Sequence, residues 1–400
     1  MKNFYRILFV CAFGVGVFCF FGAFVFARFD INSRAEIGLD ESISENIERN
    51  HRKPEKILVA QVEASNIHLA NNTESWIRLS HYYAITRLGF ADIPFSYIID
   101  RHGQIYEVMD TTKGMIPYMD TGEGIVLVGY FSESSDISLS AQRALQNLMQ
   151  DYSYKYGIPK SKVDAVELEM IEGDERSPAV FSYSLSESLF AKHFTDITED
   201  LRYFNRPNIS YTANITDLNH EQEVEVGEKL EVNFKLKNMD DFVWYVDEGL
   251  VFLSTVDNVE SPFFSNQVWD SFSKPFSLES QVVMPGEEIE LSFELSTEFV
   301  LPDVYKEEFE FVMLPDNVVD GSQFSVEFEV LRGEVQIVEI HMTGAGAITV
   351  FECRQFTCPM AAIAPSGNRY VVLEEIDNWY LIHVDGVEGW VSHHYVDLIE

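Results

Sequence analysis

The spacing of hydrophobic and polar positions changes several times along this chain of 400 residues. An uncharged apolar run over 7–27 comes first, and a polar segment without periodicity follows over 29–53. Strand-like and helix-like patterns then alternate over 54–192, whereas a period of two dominates 208–332. The pattern predicts a multidomain chain with these parts: a membrane anchor or signal sequence (1–28), a tether (29–53), an α/β domain (54–192), a linker (193–207), an all-β sandwich (208–332) and a small β-barrel (337–400).

The α/β domain centres on a predicted hairpin. Residues 95–100 alternate and are rich in aromatic and β-branched side chains, which is typical of a strand. A turn over 100–103 leads into a second strand over 104–108. The apolar spacing over 74–88 predicts a helix before the hairpin, and Gly89 stands where its C-terminal cap belongs.

The remaining elements of this domain also alternate in type. Strands are predicted over 56–63, 125–129 and 163–171, and helices over 138–157 and 181–190. The run over 125–129 is wholly apolar, as in a strand that is buried on both faces. The alternation predicts a mixed sheet in an α/β layer.

Short motifs follow one another in a fixed order in this domain: Gly-Phe-Ala-Asp-Ile at 89–93, Tyr-Ile-Ile-Asp at 97–100, Gly-Gln-Ile-Tyr-Glu at 103–107 and an apolar strand at 125–131. Their order and spacing resemble the zinc-dependent N-acetylmuramoyl-L-alanine amidases and the related peptidoglycan recognition proteins, over roughly a third of the chain. The resemblance implies a muropeptide-binding domain, and it makes Phe95 and Tyr97 candidate binding residues. An unrelated α/β domain with a chance hairpin is the alternative.

The zinc ligands that the resemblance implies are missing from their positions. The family holds zinc through two imidazoles and a Cys or Asp side chain, which leaves one position for water. Gln61 stands at the first of these positions, Val166 lies in the stretch equivalent to the second, and Ser177 stands at the third. No histidine occurs from 103 to 192 that a shifted register could supply. We therefore predict a pseudoenzyme with no catalytic residue, no metal site and no cofactor.

Other histidines and carboxylates of the domain are predicted to be solvated. His68 and His102 lie in predicted loops, and His81 lies in the predicted helix over 74–88. All three are expected to be polar surface residues. The abundant acidic residues predict a solvated rim in preference to a cation site or a pair of glycosidase carboxylates.

In the all-β region, apolar and polar residues alternate regularly over 230–236, 289–295 and 324–330. This pattern is typical of antiparallel sheets with one solvent-exposed face. Together with Asn238 and Trp244, this pattern resembles the immunoglobulin-like modules of bacterial surface proteins. A spacer is the expected role of such a sandwich, in preference to a binding site.

The C-terminal region contains Trp-Tyr-Leu-Ile at 379–382 and Gly-Trp-Val-Ser at 389–392. These motifs, with Tyr395 close behind, resemble the bacterial SH3-like domains that are appended to cell-wall hydrolases. The resemblance implies peptidoglycan binding, and Trp379, Trp390 and Tyr395 are the candidate contacts because exposed aromatic rings stack on sugars and peptides. For both tryptophans a place in the core of the barrel is the alternative, and for Trp390 it is the favoured one.

The four cysteines fall into two pairs. Cys11 and Cys19 lie in the apolar run, whereas Cys353 and Cys358 bracket four residues of the C-terminal domain. A small exported domain gains stability from a bridge, so Cys353 and Cys358 are predicted to form a disulfide. Free thiols are the alternative, and a zinc site is disfavoured because two further ligands are needed.

The apolar run over 7–27 is long enough to cross a bilayer as a helix, and Lys2 and Arg6 place its first end in the cytoplasm. We expect a single-pass membrane protein whose remaining chain is extracytoplasmic; a cleaved signal peptide, and hence secretion, is the alternative. The net charge of −37 excludes nucleic acid as a partner, because nucleic-acid binding needs basic patches.

These features predict a cell-wall protein that binds peptidoglycan or muropeptide without cleaving it. Two alternatives stay open: an active amidase or peptidase that uses unrecognised residues, and a scaffold that contacts other envelope proteins. The predicted partners are peptidoglycan and, through the N-terminal helix, the membrane.

The apolar run generates a prediction about extraction. The full-length protein should stay in the membrane fraction after washing with alkaline carbonate, because an uncleaved helix is held by the hydrocarbon core. Immunoblotting of pellet and supernatant measures this, with a peripheral membrane protein as the control. A soluble product that begins near Arg28 would show instead that the run is a cleaved signal.

Overall fold

The computed structural model describes residues 30–43, 52–63, 71–90, 92–109, 124–132, 134, 136–171, 180–199, 210–341 and 344–399. It divides the chain into two compact units, Met1–Ile209 and Ser210–Glu400. None of the helices in these ranges has the length and apolar character needed to cross a bilayer. The predicted anchor over 7–27 lies outside the described residues.

In its described ranges, the first unit has one mixed seven-stranded sheet and four α-helices. The strands are β1 (Ile31–Asn32), β2 (Lys56–Val62), β3 (Tyr97–Asp100), β4 (Ile105–Glu107), β5 (Ile125–Phe131), β6 (Val163–Ile171) and β7 (Val180–Leu185), in the order β1-β4-β3-β5-β2-β6-β7. The helices are α1 (Arg34–Ile37), α2 (Thr73–Leu88), α3 (Leu139–Tyr156) and α4 (Leu189–Glu199).

Strand β5 is the centre of this sheet, and all seven of its residues are buried. It runs parallel to β2 and to β3, and Val128 lies opposite both Val59 and Tyr97. Helices α3 and α4 pack on one face of the sheet, while Ile77 of α2 belongs to the core on the other face. An uninterrupted apolar strand is therefore explained by layers that cover both of its faces.

The caps of the long helices explain where they begin and end. The Ser138 hydroxyl accepts a hydrogen bond from the Ala141 N–H at the start of α3, and Gly157 takes the left-handed conformation after its last residue. Gly89 ends α2 in the same way.

Helix α2 buries a different stripe from the one that its apolar residues suggest. Ile77, His81 and Ala84 face the sheet, whereas Leu79 and Tyr83 are about half exposed. The expectation that His81 is a surface residue was wrong, because its imidazole lies 3.4 Å from the buried carboxylate of Asp92 and has a polar partner there.

Residues 30–43 do not form the tether that is predicted over 29–53. Strand β1 pairs parallel with β4 and forms the edge of the sheet, and Ile37 of α1 is buried in the core. Arg34 donates to both carboxylate oxygens of Asp92, at 3.2 and 3.0 Å, and to the carbonyl of Val108. A lone buried arginine in a polar segment gives no periodic signal, so only the tertiary structure reveals this attachment.

The predictions for 181–190 and for the linker over 193–207 also need correction. Residues of the predicted helix form strand β7, which pairs antiparallel with β6. The helix begins later, and Phe194 and Ile197 of α4 are buried in the core, so the domain extends past 192.

The first part of the second unit has two facing sheets. One sheet has the order β15-β10-β8 and the other β13-β12-β16-β18-β9, with β17 paired to β16; β11 and β14 form a separate pair. The strands are β8 (Ala213–Asn219), β9 (Glu223–Glu225), β10 (Lys229–Asn238), β11 (Trp244–Val246), β12 (Val251–Thr255), β13 (Phe276–Ser277), β14 (Gln281–Val283), β15 (Glu288–Ser296), β16 (Asp303–Met313), β17 (Asn317–Val318) and β18 (Phe324–Leu331).

Aromatic rings join the two sheets. The ring of Phe293 on β15 lies 4.9 Å from that of Phe309 on β16, and the ring of Phe234 on β10 lies 6.0 Å from that of Phe311. These inward-facing residues are the apolar positions of the alternating pattern in the sequence. The immunoglobulin-like assignment of this part stays a prediction.

The last part of the second unit is a seven-stranded sheet with the order β21-β20-β24-β23-β22-β19-β25. Its strands are β19 (Ile337–Ile340), β20 (Ala347–Phe351), β21 (Met360–Pro365), β22 (Arg369–Ile376), β23 (Trp379–Val384), β24 (Val387–Ser392) and β25 (Val396–Ile399). Alternate residues such as Val350, Ile382 and Val391 form the core that this sheet encloses.

Two contacts join this sheet to the facing sheets before it. The His383 imidazole stacks on Phe299 with ring centroids 3.9 Å apart, and Arg332 donates to the carbonyl of Ile399. Burial lowers the pKa of His383, and the nearby charges of Glu388, Glu298 and Asp385 oppose that shift.

The buried ion pair of the first unit generates a stability prediction. Asp92→Asn should lower the free energy of unfolding by about 3 kcal/mol, because it removes the buried countercharge of Arg34 and leaves only the pair with Glu41, whose side chain is 53% exposed. Glu74→Gln is the matched control; Glu74 pairs with Arg78 at a half-exposed position, and its loss should cost at most about 0.5 kcal/mol. Chemical denaturation of both variants measures the difference. Equal effects would mean that residues 30–43 do not stabilise the unit through Arg34.

Candidate functional site

The two candidate binding residues of the first unit lie on opposite faces of its sheet. Tyr97 points into the core beneath α3, where its hydroxyl lies 3.0 Å from that of Tyr152. Burial, and to a smaller extent the neighbouring Tyr97, raises the pKa of Tyr152 well above its ordinary value, so the Tyr152 phenol stays protonated and shares a hydrogen bond with Tyr97. Tyr97 is thus occupied in holding helix to sheet.

Phe95 belongs to the core on the other face and packs over Gly129 of β5. A Cβ atom at Gly129 would lie 3.1 Å from the Phe95 ring and 2.5 Å from Ile98, so only glycine admits this close approach. The structure gives neither Phe95 nor Tyr97 the exposed surface that their predicted contact with a muropeptide requires.

The residues at the expected zinc positions do not fit a catalytic metal. The Gln61 amide nitrogen donates to the carbonyls of Ser132 and Ser134, at 3.2 and 3.0 Å, and so secures the loop after β5. Val166 is a buried apolar residue of β6, and Ser177 lies outside the described residues. Across the part of the chain that the structure describes, no three His, Cys, Asp or Glu side chains are grouped so that they could hold a metal ion.

The strongest candidate site lies in the C-terminal sheet, on the face opposite its core. Five rings gather there and are called the aromatic surface from here on: Phe351, Phe356, Trp379, Trp390 and Tyr395. Phe356 and Tyr395 are 54% and 43% exposed, and both tryptophans are partly exposed. Large rings that remain in contact with water are typical of a binding surface.

Strand register builds the centre of this surface. Phe351 of β20 lies opposite Trp390 of β24, and Trp390 lies opposite Leu381 of β23. The residues on either side of them, such as Val350 and Val391, point into the core. Because side chains alternate along a strand, the outward row follows directly from the inward one.

Two local turns set the edge of the surface. Asp377 and Asn378 both have positive φ angles, 51° and 65°, in the two-residue turn that leads into Trp379. The Asn378 carbonyl accepts a hydrogen bond from the His393 N–H at 3.0 Å, which ties the short 3₁₀ turn His393–Tyr395 to this hairpin. Tyr395 is thereby held beside the strands.

A disulfide-closed loop brings the last ring. Cys353 and Cys358 are joined, with 5.7 Å between their Cα atoms, and the loop between them carries Phe356 across the sheet. The centroid of the Phe356 ring lies 4.9 Å from that of Trp379 and 6.1 Å from that of Tyr395.

The same loop places Arg354 over Trp390. The guanidinium carbon lies 5.3 Å from the ring centroid, which is within the range of a cation–π interaction. Arg354 Nη1 also lies 3.6 Å from Asp377 Oδ2.

The structure thus brings Trp379, Trp390 and Tyr395 together, as the choice of these three as binding residues requires. The favoured expectation of a core position for Trp390 does not match its place on the outer face. Sequence reasoning missed Phe351, Arg354 and Phe356. A signal was present, because an aromatic and a cation lie between two cysteines, but nothing in the pattern showed which face the loop would cover.

Comparison with protein families assigns part of this region. Residues 357–397 match the family of bacterial SH3 domains. Among curated protein sequences, none matches the chain.

Solved structures of peptidoglycan recognition proteins resemble about a third of the chain, with low identity. The matches include protein SD from Drosophila (14% identity, 34% of this chain and 82% of that one, TM-score 0.29) and protein Hd from Alvinella pompejana (18%, 34% and 86%, TM-score 0.28). A human peptidoglycan recognition protein, solved with a glycosamyl muramyl pentapeptide, has 17% identity over 34% of this chain and 82% of that one, with a TM-score of 0.28. Similarity at this level does not define a function, and the family match is local: it covers residues 357–397 and describes a bacterial SH3 domain.

Proposed function

We propose that this chain is a membrane-tethered, extracytoplasmic protein that binds peptidoglycan through its SH3 domain and does not cleave it. The observation that carries the proposal is the aromatic surface, which presents five rings on the outside of a small sheet. A sheet of this size has no need of aromatic side chains on its solvent face for its own folding.

The chemistry of the surface suits a glycan that bears peptides. Contact between flat aromatic rings and the apolar faces of sugars or side chains is favourable, and the ring edges tolerate neighbouring polar groups. The overall charge of −37 disfavours long polyanions as ligands, whereas the cell-wall glycan with its short peptides has no such high charge density.

The first unit is proposed to be a degenerate amidase-like domain. Its motifs resemble the amidases, but Gln61 and Val166 serve packing and loop fixation at positions where imidazoles are expected. In such enzymes zinc lowers the pKa of the water molecule that attacks the substrate. An amide nitrogen that donates to carbonyls has no lone pair with which to bind the metal.

The membrane anchor over 7–27 is the remaining part of the proposal. Residues 30–43 pack on the first unit, so few residues separate the end of the apolar run from folded structure. An anchored chain would therefore hold this unit close to the membrane surface, with the bulk of the protein outside the cytoplasm.

The first prediction of this proposal concerns zinc. Metal analysis of the purified protein, after incubation with zinc and dialysis, should find well under one zinc per chain, and muropeptide should not be hydrolysed above the blank. The reason is that Gln61 and Val166 offer no imidazole. An active amidase treated identically is the control. Stoichiometric zinc together with release of the L-alanyl peptide would restore the enzyme hypothesis.

The second prediction concerns binding to the wall. The protein should sediment with purified sacculi, and Phe356→Ala or Tyr395→Ala should weaken binding by about 2- to 10-fold, since one aromatic contact contributes about 0.5–1.5 kcal/mol. Tyr82→Ala is the matched control, because Tyr82 is also about half exposed but lies on α2 of the first unit.

Sedimentation over a concentration series measures the apparent affinity, and thermal melting shows whether each variant is folded. Failure of the wild-type protein to bind sacculi would remove the proposal and favour a scaffold that contacts envelope proteins. Equal weakening by all three variants would mean that the aromatic surface has no special role.

A further inference from the structure

Arg354 is an unusual residue in its surroundings. Residues 337–400 contain nine aspartates and glutamates, no lysine and two arginines. The second arginine, Arg369, pairs with Glu339 at 2.8 Å. Arg354 is therefore the cation that the aromatic surface presents within an acidic domain.

The position of Arg354 on Trp390 leaves its donors available for a ligand. The guanidinium carbon lies 5.3 Å from the centroid of the Trp390 ring, and a cation–π interaction at this distance uses the charge of the group without consuming its five N–H donors. The side chain is 40% exposed, so that water or a ligand reaches these donors. Contact with the Trp390 ring also limits the rotamers of the side chain, which lowers the entropy lost when a ligand binds.

The ion pair with Asp377 does not occupy these donors. The distance of 3.6 Å from Nη1 to Oδ2 exceeds that of a hydrogen bond, and the Asp377 side chain is 88% exposed. A pair of this kind is screened by water and contributes little. Asp377 is a weak competitor that a better placed carboxylate can displace.

We propose that Arg354 is the carboxylate receptor of the aromatic surface, and that its ligand is a peptidoglycan stem peptide with a free carboxylate. The inference rests on the proposed function and specifies its ligand. The guanidinium fork matches a carboxylate through two parallel N–H···O hydrogen bonds. The neighbouring rings of Trp379 and Phe356 cover the apolar part of the same peptide.

The disulfide has a defined part in this arrangement. It closes the loop on both sides of Arg354 and Phe356, so that one short segment positions the cation and a ring together. The site would then favour a ligand whose carboxylate and apolar group are separated by the same distance as Arg354 and Phe356.

The test uses the full chain and a pair of soluble probes: a muramyl tetrapeptide with free carboxylates, and the same compound with those carboxylates converted to amides. The free acid should bind about 10-fold more tightly, as expected for a charge-assisted hydrogen bond of about 1.5 kcal/mol. Its affinity should fall with added salt, whereas that of the amide should not.

Variants separate the charge from the fold. Arg354→Gln should reduce the binding of the free acid to about that of the amide, so that the preference between the two probes is lost. Asp377→Asn should strengthen binding of the free acid by about 2-fold, because it removes the competing carboxylate. Arg369→Gln is the matched control and should retain the full preference. Thermal melting confirms that each variant is folded.

The outcomes distinguish the two proposals. If the wild-type protein binds neither probe and does not bind sacculi, the proposed function fails. If it binds both probes equally, or if Arg354→Gln keeps the preference, peptidoglycan binding stands and the role of Arg354 is overturned. Tighter binding of an anionic wall polymer than of the free acid would also overturn the assignment of the ligand.

Discussion

The candidate site depends on one geometric constraint: a single small sheet encloses its core on one face only. Side chains along β23 and β24 alternate, so Leu381 beside Ile382 and Trp390 beside Val391 point away from that core. Trp390 and Leu381 are therefore held on the outer face by the same register that buries their neighbours. A surface made in this way is as rigid as the sheet that carries it.

The loop between Cys353 and Cys358 changes what that face can do. Without it the face would be a row of rings; with it the face also gains Phe356, which adds apolar area, and Arg354, which adds a directional charge. The combination provides contact area and a fixed hydrogen-bonding group at once, and these are the two properties that separate a selective site from an adhesive patch.

In the first unit, Gln61 and Val166 have structural contacts. The Gln61 amide at the end of β2 donates to the loop after β5, and Val166 is buried in the core on one face of the sheet. Asp92 is a fully buried carboxylate with a structural part: it binds Arg34 and lies beside His81, and so joins residues 30–43 to the domain. Apolar layers on both faces of β5 hold the unit together.

The sequence by itself determined the elements whose signals are periodic or local. It predicted the apolar strand at 125–131 and the helix that Ser138 and Gly157 cap, because period and caps act over a few neighbours. The tertiary structure alone decided which side of an element faces the core. Tyr97 is buried by Tyr152 although it lies in a recognisable motif, His81 is buried by Asp92, and residues 30–43 are fixed through Arg34. It also decided that Arg354 lies on Trp390, a contact between residues 36 positions apart in the chain. Contacts of this kind depend on the packing of distant segments, and no local pattern of residues encodes them.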